Sequence, residues 1–254
     1  MTFFRFEEFF LLTSFGLVFG SFINMLIYRL PNQLSIMPRS FCIKCKHKLG
    51  LYDLIPLVSY IFSFGNCRYC KKRISIRYPL VEITSVFIWF INWHFFNNSI
   101  EFYVMVFFFS SLLILFITDF TSFFIPNVIT YPLIVLGLFY NFFNHNLIDS
   151  VYGILVGFFS FFLIGLIGRF FYKKNSIGGG DMKLAASIGS LWGLKTSILT
   201  VYFSFIVGGS IGLVLVLLGI KKRSDLIAFG PSIIAGFFIS LFWGDWIWRT
   251  YISG

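Results

Sequence analysis

Two aspartates and four cysteines stand out in this chain by what surrounds them. Asp119 closes the apolar run 111–118 and is followed by a second apolar stretch containing Pro126 and Asn127. Asp181 follows Gly178, Gly179 and Gly180 and precedes Met182 and Lys183. Ionisable groups beside long apolar segments are costly and usually have a task. Two carboxylates facing each other in a half-dry site share one proton, because like charges about 3 Å apart cannot both ionise. The ionised member can take a proton from water while the protonated member donates to a scissile carbonyl, which is aspartic-protease chemistry. The three glycines are expected to allow positive φ and close approach by a peptide. On residue types alone, two alternatives stay open. The pair could be unrelated helix-end aspartates near cations such as Lys183, or a proton relay in a transporter.

The cysteines form two pairs, Cys42-x-x-Cys45 and Cys67-x-x-Cys70, with 21 residues between them. Tetrahedral zinc takes four thiolates, and each CxxC turn aims two sulfurs at one centre. The separation slightly exceeds the usual range of about 15–20 residues. A disulfide pair or isolated buried thiols would be the alternatives, and a cytoplasmic location disfavours disulfides. Four thiolates close the coordination sphere, so the expected zinc is structural. Lys44, Lys46 and Lys71 would offset its negative charge, and His47 is read as exposed rather than as a ligand.

The remaining acids are read as solvated loop or span-end residues, except Glu82, which lies inside an apolar segment and is read as a buried tie to Arg77 or to a neighbouring helix. No Ser-His-Asp set, H-E-x-x-H, G-x-S-x-G or phosphate-binding loop is present. Gly178–Gly180 is no dinucleotide fingerprint, because no hydrophilic βαβ unit surrounds it.

Composition dictates what must position these groups. Of 254 residues, 58% are hydrophobic, 12% are charged and 38 are phenylalanine. A soluble domain has no interior for so much apolar surface. The chain is therefore an all-α polytopic membrane protein. Apolar runs cover about 9–30, 79–96, 102–118, 125–143, 148–172, 184–194, 196–220 and 227–248, the run 184–194 being short for a crossing of about 20 residues. Glu7 and Glu8 stand where a secretory signal would carry basic residues. Asn24, inside the first run, is expected to face other helices. Residues 31–78 are polar, hold all the cysteines, and read as a small domain outside the membrane.

The net charge of +10 invites a nucleic-acid reading, but half of the 20 basic residues lie between Arg29 and Arg77. That is how membrane proteins mark cytoplasmic loops. With the N-terminus outside and eight crossings, seventeen of the 20 fall inside and Arg5, Lys195 and Arg249 fall outside. Dropping the short run would flip Lys221, Lys222 and Arg223 outward, so about eight transmembrane helices are expected, with seven as the fallback. The expected organisation is a first helix over 1–30, a zinc-binding domain over 31–78 and a helical core over 79–254.

Four stretches, in order, resemble the type IV prepilin leader peptidases. They are Gly20-Ser21-Phe22-Ile23-Asn24 with Tyr28-Arg29-Leu30-Pro31; the two CxxC pairs closed by Arg77-Tyr78-Pro79-Leu80-Val81-Glu82; Asp119 with Ile125-Pro126-Asn127; and Gly178-x-Gly180-Asp181-x-Lys183 with Phe229-Gly230-Pro231. Two departures are visible: Thr121 stands where many members carry a second acid, and Asn127 where many carry Asp. The resemblance implies a membrane aspartic endopeptidase with Asp119 and Asp181 as its catalytic pair, cutting prepilins and pilin-like proteins after a leader glycine. It also implies N-methylation with S-adenosylmethionine as donor, and the cysteine loop favours both activities. The expected setting is the bacterial cytoplasmic membrane, with the lipid bilayer and pilin-like substrates as partners and no nucleic acid. A peptidase without methyltransferase activity is the closest alternative. A proton-coupled transporter is the more distant one, and its repeated halves with paired interrupted helices are not evident.

Overall fold

The computed structural model describes residues 6–37, 39–172, 178–222 and 225–251. Arg5, Lys173, Lys174 and Arg223 of the charge map lie outside them. Among the described residues the chain is helical, with two isolated β-bridges and no strand. The long helices are α1 (Phe6–Arg29), α3 (Arg77–Phe96), α4 (Ile100–Ser122), α5 (Asn127–Phe143), α6 (Leu147–Tyr172), α7 (Gly179–Leu217) and α8 (Gly230–Tyr251); α2 (Val58–Phe62) is a short helix of the cysteine-bearing segment. Six of these are long and apolar enough to cross a membrane. The helix α5 has 17 residues, or about 25 Å against a hydrocarbon core of about 30 Å. The chain divides into two compact units, Met1–Ile114 and Leu115–Gly254.

In the first unit α1 packs on α3. The buried positions of α1, Leu12, Gly16, Gly20, Ile23, Asn24 and Ile27, form one stripe at helical spacing. A Cβ on Gly16 would lie 2.7 Å from Val86 Cα, and one on Gly20 would lie 2.6 Å from Glu82 Cα. The two backbones therefore touch, as small residues four apart permit. Asn24 is buried and donates to the Tyr78 carbonyl at 2.9 Å, so it faces a neighbouring helix as expected.

In the second unit α7 packs against α5, α6 and α8. Here too glycines set the distance. A Cβ on Gly153 would lie 2.3 Å from Gly189 O, one on Gly189 2.2 Å from Gly153 O, and one on Gly137 2.6 Å from the carbonyl carbon of Ser190. In lipid, apolar side chains gain little by leaving their surroundings, so association rests on such close packing and on interhelical hydrogen bonds.

The helix α7 is interrupted at Gly193, with φ 73° and ψ −171°. The two runs 184–194 and 196–220 are thus two helical segments joined at one glycine. A Cβ there would sit 1.7 Å from Asp149 Oδ2, so the position admits glycine alone. The freed backbone groups find side-chain partners. Asn141 donates to Ser190 O at 2.9 Å and Leu191 O at 3.1 Å, Ser150 donates to Ser190 O, and Leu194 N–H donates to Asp149 Oδ1 at 3.2 Å. A break inside a helix is tolerated where the freed backbone groups find such partners. Asp149, read from sequence as a solvated span-end residue, is a structural part of this break.

Gly189→Ala forces the α6 and α7 backbones apart. It is expected to destabilise the purified protein by about 1–3 kcal/mol, read as a lowered thermal midpoint in detergent. Gly179→Ala, whose Cβ meets nothing within 4 Å, should leave that midpoint unchanged.

Candidate active site and metal centre

Asp119 lies in the last turn of α4 and Asp181 in the first turn of α7. Both are buried, 5% and 7% exposed. Each is held through one oxygen by a backbone N–H at the start of a helix. Asp119 Oδ2 accepts from Gly230 N–H, at the start of α8, at 2.8 Å. Asp181 Oδ2 accepts from Gly178 N–H at 3.2 Å, and Asp181 N–H donates to Gly178 O at 3.1 Å. Helix N-termini carry unsatisfied donors and partial positive charge, so carboxylates suit them. Asp181 Oδ1 is buried and has no hydrogen-bond partner among the described residues. Asp119 and Asp181 lie in the same unit, close enough for the charge of one to act on the other.

The glycine-rich stretch works differently from the sequence expectation. Gly178 has φ −76° and ψ 146°, and no positive φ occurs at Gly179 or Gly180. What the stretch supplies is closeness: a Cβ on Gly180 would lie 2.8 Å from Ile125 Cβ. Gly230 is equally constrained, since its Cβ would lie 2.7 Å from Asp119 Oδ2. Lys183 does not pair with the aspartates. Its Nζ donates to Asn127 Oδ1 at 2.8 Å and lies 5.2 Å from the Tyr131 ring centre. Asn127 thus keeps a partner for that lysine where an aspartate would have made an ion pair.

The cysteine-bearing segment contains two matching turns. Cys42 N–H donates to His47 O and Lys46 N–H to Cys42 O; Cys67 N–H donates to Lys72 O and Lys71 N–H to Cys67 O. The β-bridges Phe41–Lys48 and Asn66–Arg73 close them. Lys46 and Lys71 take positive φ at equivalent places, 61° and 57°. Beyond the cysteines the two turns share a lysine after the second cysteine, Lys46 and Lys71, and a basic residue two positions later, Lys48 and Arg73. Asp53 ties the segment together, accepting from Gly50 N–H at 3.0 Å and Tyr69 Oη at 2.8 Å, with Arg68 at 3.6 Å. Buried Arg29 anchors its start by donating to the carbonyls of Ser35, Ile36 and Arg39.

The four sulfurs lie within 4.8 Å of one another, with Cys42 Sγ and Cys70 Sγ 4.0 Å apart. The thiols are free. Bonds of about 2.3 Å to a tetrahedral zinc put sulfurs about 3.8 Å apart, so the donor set fits such an ion. Burial works against the Cys42 thiolate, but the backbone N–H groups of Cys45 and Lys44 and the neighbouring thiols outweigh it, and Cys42 is lowered to about 7. His47 is outside the cluster; it is exposed and stacks on Tyr69 at 3.7 Å. Glu82 does not meet Arg77. Its Oε2 accepts from Leu57 N–H at 2.8 Å, while Arg77 lies over the Tyr78 ring.

Two family models match the chain: the bacterial peptidase A24 N-terminal domain over residues 14–96 and the type IV leader peptidase family over residues 106–213. Among curated proteins, the prepilin leader peptidase/N-methyltransferase of Pseudomonas aeruginosa is 31% identical over 94% of this chain and 91% of its own length. Those of Vibrio cholerae and Bacillus subtilis are each 33% identical, over 89% and 96% of this chain and 93% and 97% of their own. No solved structure matches.

The cysteine cluster should take up one metal ion per chain. Cobalt(II) added to reduced, chelator-treated protein is expected to give sulfur-to-metal absorption bands, absent in Cys42→Ser and Cys67→Ser. Thiols must lose their protons to bind metal, so uptake should weaken as pH falls.

Proposed function

The chain belongs to the type IV leader peptidase family, and on that footing we propose that it removes the leader peptides of prepilins and pilin-like proteins after glycine and methylates the new amino terminus. Asp119 and Asp181 are the catalytic pair. The observation that carries this assignment is their shared buried site, in which two helix N-termini each hold one oxygen and Asp181 Oδ1 has no partner among the described residues. An oxygen that accepts no other hydrogen bond keeps its full acceptor capacity for a water molecule. With one oxygen fixed by a backbone N–H, the side chain is oriented while the other oxygen is available to a reacting group.

The reaction follows from a shared proton. The ionised aspartate takes a proton from a water molecule as that water attacks the carbonyl carbon of the leader glycine. The protonated aspartate donates its proton to the carbonyl oxygen. Collapse of the tetrahedral species returns a proton to the leaving amine and regenerates the pair. Gly180 and Gly230 act by absence: any side chain there would occupy the space needed by Ile125 or by the Asp119 carboxylate.

The metal is zinc in a structural role, because four thiolates leave no coordination position for water. S-adenosylmethionine supplies the methyl group. A transporter built on the aspartate pair is less well supported, since among the described residues the Gly193 break has no counterpart in a second long helix. The protein resides in the bacterial cytoplasmic membrane with its N-terminus outside and residues 31–78, 119–124 and 173–183 in the cytoplasm, on the strength of the charge map.

Asp119→Asn and Asp181→Asn should each abolish cleavage of a prepilin peptide, read by mass spectrometry, while the purified protein keeps its helicity. Gly230→Ala should lower turnover at least about tenfold by displacing the Asp119 carboxylate, in keeping with the sensitivity of rate to small misplacements. Near wild-type turnover in either asparagine variant would falsify the catalytic assignment. Reporter fusions in residues 31–78 are expected to score as cytoplasmic, and an external score overturns the orientation.

A further inference from the structure

The helix α3 turns one row of apolar residues outward. Leu80, Ile83, Phe87 and Ile91 are all exposed and follow one another at spacings of three and four. Since α3 is long and apolar enough to cross a membrane, this outward row faces lipid. The row does not stop where the helix starts. Ile76, four positions before Leu80, is 67% exposed. Beside it runs the chain that leaves α2. Ile74 N–H donates to Gly65 O at 2.8 Å and Asn66 pairs with Arg73, which brings the Phe64 backbone alongside Ser75. Phe64 and Gly65 both take left-handed backbone, with φ 52° and 69°. Bulky side chains rarely adopt that conformation. Here it reverses the chain after α2 and leaves the Phe64 ring 89% exposed. Ile61, in α2, is 66% exposed. None of these three lines the cavity of about 820 Å³ that the segment forms with α1 and α3.

An exposed apolar cluster rimmed by polar residues marks an interaction surface. Here the rim is of one sign. From Arg39 to Arg77 the chain holds nine basic residues and one acid, Asp53. That acid is engaged by Tyr69 and Arg68. Lys71, Lys72 and Arg73 are exposed on the turn that pairs with the chain after Phe64. Apolar side chains beside a surplus of cations suit an anionic lipid surface, the apolar groups entering the headgroup boundary and the cations meeting the headgroups. We propose that Ile61, Phe64 and Ile76 extend the lipid-facing row of α3 into the headgroup layer, so that the second cysteine turn docks on anionic phospholipid. Continuity with α3 favours lipid over a protein partner, because a surface that begins one residue before a membrane helix already lies at the membrane boundary. The docking rests on the reading of residues 31–78 as a segment outside the membrane core, and not on the side of the membrane they occupy.

The test uses the purified full-length protein in lipid nanodiscs. A nitroxide amino acid replaces Phe64, or Lys48 on the first cysteine turn as a control, so the cysteines stay untouched. Paramagnetic relaxation compares collision with oxygen, which enters lipid, and with a nickel chelate, which stays in water. In discs of phosphatidylglycerol and phosphatidylethanolamine the label at position 64 should collide mostly with oxygen, at a depth of about 5–10 Å. The label at position 48 should collide mostly with nickel. Discs of phosphatidylcholine alone should raise nickel access at position 64 at least about threefold, and Lys72→Gln combined with Arg73→Gln should do the same in the anionic discs. Without any label, Phe64→Asp should speed amide hydrogen exchange over residues 58–66 in anionic discs and leave exchange over 184–191 unchanged. Nickel access at position 64 equal to that at position 48 in anionic discs overturns the docking. So does protection at position 64 that arises only when a prepilin peptide or a second protein is added. Equal protection in both lipids overturns the anionic partner. Discs expose both faces, so a reporter that scores residues 31–78 as external overturns the orientation proposed above without moving the label readout.

Discussion

Backbone contact between glycines is the interaction on which the catalytic unit rests. With Gly153 and Gly189 separated by less than a side chain, and Gly137 pressed on Ser190, α7 is fixed against α5 and α6 along its N-terminal half. That half carries Asp181. Lipid offers no hydrophobic reward for helix association, so packing at this distance and the bonds it permits must supply the energy. The buried Ser150, Asn141 and Ser197 are those bonds: Ser150 and Asn141 donate to backbone carbonyls of α7, and Ser197, itself on α7, donates to the Gly153 carbonyl of α6. The same closeness makes room for the break at Gly193, because the side chains that cap the broken helix reach it only from helices this near.

The aspartate pair exploits the other thing that helices offer, their ends. The start of α7 and the start of α8 each present a backbone N–H to one carboxylate oxygen. The donors are amides fixed by the chain, so they orient the acids without placing a second titrating group in the site. Lys183 stays out because Asn127 and Tyr131 engage it. A cation beside Asp181 would hold that acid as a permanent anion and end the sharing of a proton.

The first unit answers a different problem. The cysteine-bearing segment has little apolar interior of its own; Cys67 is its one buried hydrophobic residue among those described. Small domains of this kind need a metal or covalent link to stay folded. Two matching turns that place four sulfurs within 4.8 Å supply the means. A segment held this way can enclose a cavity against α1 and α3 without a conventional core.

Much of this was legible in the sequence. Long apolar runs and clustered basic residues specify membrane helices, since nothing else buries 38 phenylalanines in 254 residues. The CxxC spacing specifies a four-sulfur cluster, because each turn constrains its own pair. Asp119 and Asp181 could be picked out because a carboxylate beside an apolar run is expensive. Their partners were not legible. Gly230 and Gly178 stand in the quoted motifs, but they act through backbone N–H groups, which every residue except proline carries, so residue type did not reveal that role. The glycines before Asp181 suggested positive φ; folded, they serve close packing against Ile125, a contact across 55 positions of chain. Glu82 was read as a tie to Arg77 or to a neighbouring helix, and of the two it reaches the start of α2, at Leu57 N–H. In each case the sequence determined which groups are costly to bury, a property of the residue alone. The tertiary structure decided what satisfies them, because the partner is a backbone group brought near by helices that pack at glycine distance.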